Sequence, residues 1–187
     1  MRLALKFSAA LLAAVAAFGL AQPVAAATTA AVPAGWQLVE GGEVRVAAQY
    51  LYSAAGGRYV SAELDYRSGD YAVLRARSTT VDAWEQFTFA YDSAAGKWSI
   101  RSNANNGYVS AELDYPGGTA GILRARAVEV GAWEQFDLLY SESEQRYALR
   151  AANGLFVSAE LGYTGHYTNV LRARSGAIDA WEKFILG

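Results

Sequence analysis

Past residue 40 the chain runs in short stretches of alternating apolar and polar residues. Lys97–Ser102, KWSIRS, sets Trp98 and Ile100 against Ser99 and Arg101, a period of two that predicts a half-buried strand. Asn106-Gly107 follows, a pair suited to the positive φ of a tight hairpin turn. Tyr108–Leu113 alternates again, with Val109, Ala111 and Leu113 on one face and Tyr108, Ser110 and Glu112 on the other. Beyond the loop DYPGGTAG, ILRARA puts Leu123 and Ala125 on one face and Arg124 and Arg126 on the other. WEQFDLLY then brings Phe136 and Leu138 to one side. The pattern predicts four short strands, with no helical period between them.

The same four runs occur three times. VSAELDY stands at Val60–Tyr66 and Val109–Tyr115, and VSAELGY at Val157–Tyr163, steps of 49 and 48 residues. Trp84, Trp133 and Trp181, each closing an LRAR…AWE string, keep the same steps. The third copy reads RYALRA, Asn153-Gly154, FVSAEL, VLRARS and WEKFIL. The first opens less clearly: EVRVAAQY aligns Val44 and Val46 with Trp98 and Ile100, and Gly56-Gly57 takes the turn. A repeat of this length also suits propeller blades, but propellers generally need four or more. Three units of four strands instead predict an all-β fold of twelve strands closed about a three-fold axis, a single β-trefoil over 43–187. Its core should hold matched triplets: Val60, Val109 and Val157; Leu74, Leu123 and Leu171; Phe87, Phe136 and Phe184.

Residues 1–27 fall outside that pattern. Arg2 and Lys6 precede an apolar run, FSAALLAAVAAFGLA, and PVAAA supplies small residues near Ala27, the build of a secretory signal peptide. The expected address is therefore extracellular or periplasmic, with 28–42 as a linker. Without Arg2 and Lys6, the 16 basic residues fall to 14 against 18 acidic ones, a net charge of −4. Such a balance exerts no long-range pull on nucleic acid or anionic lipid. Cysteine is absent, so stability must come from packing rather than disulfides. Only Lys97 and Lys183 remain as lysines; the arginines that replace them favour fixed, bidentate partners.

The string NGLFVSAE…LRAR…AWEKF resembles the repeat of the fascin-like trefoil family, whose pattern runs NGKYVSAE, L-x-A-x-R and WE-x-F, and all three copies match it. The resemblance implies a β-trefoil without enzymatic activity, a fold used in actin-bundling proteins and in other binding modules. The chain departs from that family in its longer loops between strands two and three, DYRSGDYA, DYPGGTAG and GYTGHYTN. It also carries one trefoil where a fascin bundler has four.

Two groups of repeated residues are candidates for function. Arg75/Arg124/Arg172 and Arg77/Arg126/Arg174 read as an internal lattice, the forks pairing with the Glu of each Trp-Glu pair (Glu85, Glu134, Glu182) while Trp covers the barrel end. The loops offer Tyr66, Tyr115 and Tyr163, flat apolar faces with a hydroxyl, suited to stacking on a sugar. Beside them, Glu63, Asp65, Glu112, Asp114 and Glu160 would accept from sugar hydroxyls; Gly162 leaves the third copy one acceptor short. Equally, each tyrosine would serve to pin its own loop. Catalysis finds little support. His166 is the only histidine and cysteine is absent, so neither a His-based triad nor a multi-histidine metal site assembles. The repeated carboxyls occupy three similar settings, whereas acid/base work needs two of different pKa. The expectation is an exported, non-enzymatic protein that binds extracellular glycan or polysaccharide through up to three equivalent sites, with no cofactor. A host's actin filament is the rival partner, and a protease held by one protruding loop the third.

Overall fold

The computed structural model describes residues 31–41, 46–66, 71–116 and 119–187; the expected signal segment lies outside them. Among the described residues the chain forms strands, turns and one-turn 3-10 helices. The first six strands are β1 Gln37–Leu38, β2 Val46–Gln49, β3 Leu51–Ser53, β4 Arg58–Ala62, β5 Leu74–Ser78 and β6 Phe87–Asp92. The middle copy follows with β7 Lys97–Ser102, β8 Tyr108–Glu112, β9 Ile122–Ala127 and β10 Asp137–Ser141. The last contributes β11 Arg146–Arg150, β12 Phe156–Ala159, β13 Leu171–Ser175 and β14 Phe184–Leu186.

Outer strands of each copy build a barrel, and inner strands build a cap of three hairpins. The fourth strand of each copy pairs with the first of the next: β6 with β7, β10 with β11, and β14 with β3, which joins copy three back to copy one. The barrel also closes within each copy, where Gln49, Trp98 and Tyr147 stand opposite Phe87, Phe136 and Phe184. Hairpins β4–β5, β8–β9 and β12–β13 carry the same bulge, before Val60, Val109 and Val157. They meet around the axis through a cyclic set of bridges: Val73 to Arg124, Ile122 to Arg172, Val170 to Arg75. Three further bonds follow the same cycle, Ala125 N–H to Ala72, Ala173 N–H to Gly121, and Ala76 N–H to Asn169. All three acceptor residues have positive φ.

The expected triplets of valine, leucine and phenylalanine are all buried in one core cluster. Leu51, Ile100 and Leu149 join them as a further set. This corrects the alignment of copy one, because Leu51 rather than Val46 takes the place of Ile100. The partner strand decides it: Tyr52 faces Tyr59 as Arg101 faces Tyr108 and Arg150 faces Phe156. Alternation along a weak strand carries no such reference.

Other expectations change as well. The segment 28–42 is more than a linker: Gln37–Leu38 pairs with β10 as an extra strand, and Trp36 packs on Leu139, Ala148 and Phe156. Trp98 Nε1 donates to the Val39 carbonyl at 2.7 Å, and Arg150 Nη1 to that of Ala31 at 2.9 Å. With β2 and β3 separate, the described strands number fourteen, not twelve. The Trp-Glu pairs do not begin the fourth strand; they sit in 3-10 turns, Ala83–Glu85, Ala132–Glu134 and Ala180–Glu182. Each turn glutamate accepts the N–H three residues back, at Asp82, Gly131 and Asp179, over 2.8–2.9 Å, which closes the turn as a capping interaction. Among the described residues the LRAR arginines pair instead with Glu63, Glu112 and Glu160. Finally, only one position per hairpin turn is left-handed: Gly57, Asn106 and Gly154. Gly107 is required for another reason, since a β-carbon there would collide with the Ala125 carbonyl oxygen.

Candidate functional site

Antiparallel pairing of the second and third strands brings SAE of one beside LRAR of the other. Ser61 faces Arg75, Ser110 faces Arg124 and Ser158 faces Arg172. One step along, the glutamate closing the second strand meets the outer arginine of the third. Arg77 Nε lies 2.6 Å from Glu63 Oε1, and Arg126 Nε donates to Glu112 Oε1 at 2.6 Å. Arg174 engages Glu160 through both Nε and Nη2, the latter at 2.8 Å from Oε2. Each of these arginines also donates to a loop tyrosine hydroxyl: Arg77 to Tyr66 at 3.0 Å, Arg126 to Tyr115 at 2.8 Å, Arg174 to Tyr163 at 2.7 Å. Their guanidinium carbons lie 5.5, 5.9 and 5.0 Å from the ring centroids, within cation–π range.

The site is thus a relay repeated three times: buried glutamate, arginine, tyrosine at the surface. Glu63, Glu112 and Glu160 are 1, 4 and 0% exposed, while Tyr66, Tyr115 and Tyr163 are 40, 42 and 39% exposed. The glutamates therefore offer nothing to a ligand; they hold the arginines that hold the rings. Asp65 and Asp114 do lie exposed beside Tyr66 and Tyr115. In copy three, a β-carbon at Gly162 would stand 2.9 Å from the Trp181 ring, so that indole occupies space an aspartate would need.

Charge and burial act differently in the three copies. Burial pushes the Glu63 carboxyl up, against the lowering influence of Arg77 and Arg75. For Arg126 burial works to lower the pKa, but hydrogen bonds with Tyr115 and Glu112 carry it above its usual range. The Glu160 hydrogen bond does the same for Arg174.

Neighbouring repeats complete the surface. A cleft of about 450 Å³ runs between Tyr66, Arg75 and Arg77 of copy one and the loop Gly165, His166, Thr168 and Asn169 of copy three. Arg75 crosses it to donate to the Thr168 carbonyl at 2.9 Å. Arg172 reaches the Ala120 carbonyl of copy two in the same way, at 2.8 and 3.1 Å. No residue of this opposing loop is marked in the sequence as belonging to the Tyr66 site, because the two lie roughly a hundred residues apart and only closure of the cap joins them. Among the described residues no group of three or more His, Cys, Asp or Glu is placed to hold a metal.

No protein-family model matches the chain, and no curated protein matches it. Solved structures do. A designed three-fold symmetric protein, ThreeFoil, aligns with a TM-score of 0.57 and 17% identity, over 81% of this chain and 97% of that one. A structure described as the BEL β-trefoil aligns at 0.61 with 9% identity, over 79% and 98%. The Rhizoctonia solani agglutinin aligns at 0.54 with 10% identity, over 78% and 98%. The chain also matches parts of longer proteins, spanning 17% of a mosquitocidal holotoxin chain and 32% of a Clostridium perfringens endo-β-galactosidase chain. These likenesses define the class: the fold is a β-trefoil.

Proposed function

We propose that this β-trefoil is an exported, non-enzymatic carbohydrate-binding protein with up to three sites centred on Tyr66, Tyr115 and Tyr163. The observation that carries the reading is the threefold relay, which spends a buried glutamate and an arginine in every copy to fix an exposed ring. A ring stiffened before the ligand arrives loses little entropy on stacking. Each hydroxyl already accepts from its arginine, so its own O–H remains to donate to a sugar oxygen. The cleft beside Tyr66 adds Arg donors and the backbone of the copy-three loop, the mix of apolar face and directed polar groups that sugar sites use. Neighbours of the same fold support it, since one is named an agglutinin and another is part of an endo-β-galactosidase. The actin reading rests on the repeat resemblance alone.

A glycan array with the full chain, followed by titration of the captured sugar, tests the proposal. Tyr66→Ala and Tyr115→Ala should each weaken binding with the melting temperature nearly unchanged. The double variant should lose more than the two single losses combined, because avidity collapses when one site remains. Full binding by the double variant would refute the reading, and actin co-sedimentation in parallel would reveal the rival partner.

A further inference from the structure

Where the three hairpins of the cap meet, two arginines and no carboxylate line the surface among the described residues. Each repeat pairs its outer arginine closely with the glutamate of its second strand, while its other buried glutamate, Glu85, Glu134 or Glu182, caps a 3-10 turn. The inner arginines, Arg75, Arg124 and Arg172, are only 7, 7 and 8% exposed. Arg75 and Arg172 lean on neutral carbonyls of the adjoining loop, which satisfy an N–H but do not neutralise a charge. Arg124 has less. Its buried Nε takes no hydrogen bond among the described residues and lies 3.2 Å from Glu112, which already holds Arg126.

Arg75 and Arg124 open together into a cavity of about 330 Å³ where the three hairpins meet. Its floor is the buried apolar triad Val73, Ile122 and Val170, one residue from each copy. Thr119 and Tyr115 stand at its edge. Arg75 and His166 line both this cup and the cleft beside Tyr66, so the cup adjoins a tyrosine site on each side.

We propose that the axial cup binds the carboxylate or sulfate of an acidic sugar, the anion lying between Arg75 and Arg124 and the sugar's apolar face resting on the valine–isoleucine floor. The inference rests on the carbohydrate reading above and narrows it to anionic glycans. Guanidinium forks match carboxylate and sulfate oxygens, and low-dielectric walls strengthen the attraction inside a concave site even on a chain of net negative charge. A neutral sugar would leave the inner arginines as they are, so selection for charge follows from the site itself.

Calorimetric titration of the full chain with matched oligosaccharides, carrying a carboxylate, a sulfate or neither, tests it. The acidic forms should bind more tightly than the neutral one, and inorganic sulfate should compete with the acidic forms alone. Thr119→Glu places a like charge at the rim and gives up only the exposed bond from the Thr119 hydroxyl to the Pro116 carbonyl, and should weaken acidic-sugar binding by roughly tenfold or more with the melting temperature little changed. Arg124→Gln should give the same loss, and sulfate should raise the melting temperature of the wild type but not of this variant. Equal binding of neutral and acidic sugars, or acidic binding untouched by both variants, overturns the axial site and leaves the carbohydrate reading standing. Capture of anionic vesicles with no glycan bound overturns both.

Discussion

Glu63, Glu112 and Glu160 show what a residue's place in a repeat conceals. Their motif invites a ligand role, yet all three are buried and act on the surface only through arginine. Removing that arginine strands a charge, so Arg174→Ala, which leaves Glu160 without its two bonds, should cost about 2–3 kcal/mol, less than a fully buried pair because Arg174 is half in water. Chemical denaturation would measure it. Glu63 differs, because burial holds its folded pKa above the usual 4.5. The folded state then keeps a proton that the unfolded chain has released, so its contribution to stability is complete below pH 4.5 and is lost as pH rises through the folded value. Glu63→Gln cannot ionise, and its melting temperature relative to wild type should climb between pH 4 and pH 8. A flat or falling difference would contradict this. Alternation in the sequence marked which residues face the core, but not that the opposite face of VSAE and LRAR would also be covered. The cap buries both faces near the axis, and a two-fold period cannot report that.

Among the elements, the hairpins carry the clearest contrast between like sequences and unlike reasons. Gly107 is held by a neighbour and Gly154 by its backbone angle: a methyl at 107 meets the Ala125 carbonyl, whereas at 154 it meets nothing within 4 Å but has φ +78°. Gly107→Ala should therefore cost about 2–3 kcal/mol through displacement of β9. Gly154→Ala should cost only about 1 kcal/mol through strain. Comparing the two denaturation midpoints checks the ranking. Asn-Gly was legible as a turn, but its geometry was not, since a tight two-residue turn and the observed longer one share the same residues. The 3-10 turns at AWE escaped notice for a related reason: one turn of helix is too short to leave a period.

On the scale of the whole molecule, closure is the decisive feature. β14 seals the barrel by pairing with both β3 and β11, and it delivers Phe184 to the core. Deleting 184–187 should abolish cooperative melting, whereas deleting 31–38 removes β1 and Trp36 and should only lower the midpoint. Differential scanning calorimetry distinguishes them, and a fully cooperative 184–187 deletion would show that the barrel does not depend on this seam. The repeats and their apolar alternation determined, without any structure, the number of units, the first three strands of copies two and three, the core triplets and the exposed tyrosines, because each follows from local periodicity and from the demand that equivalent residues pack alike. Only the tertiary structure decided which glutamate each arginine holds, which strand of copy one enters the core, and that the loop of copy three walls the site of copy one. Those depend on contacts between residues far apart in the chain, and nothing in a local pattern records the partner across the axis.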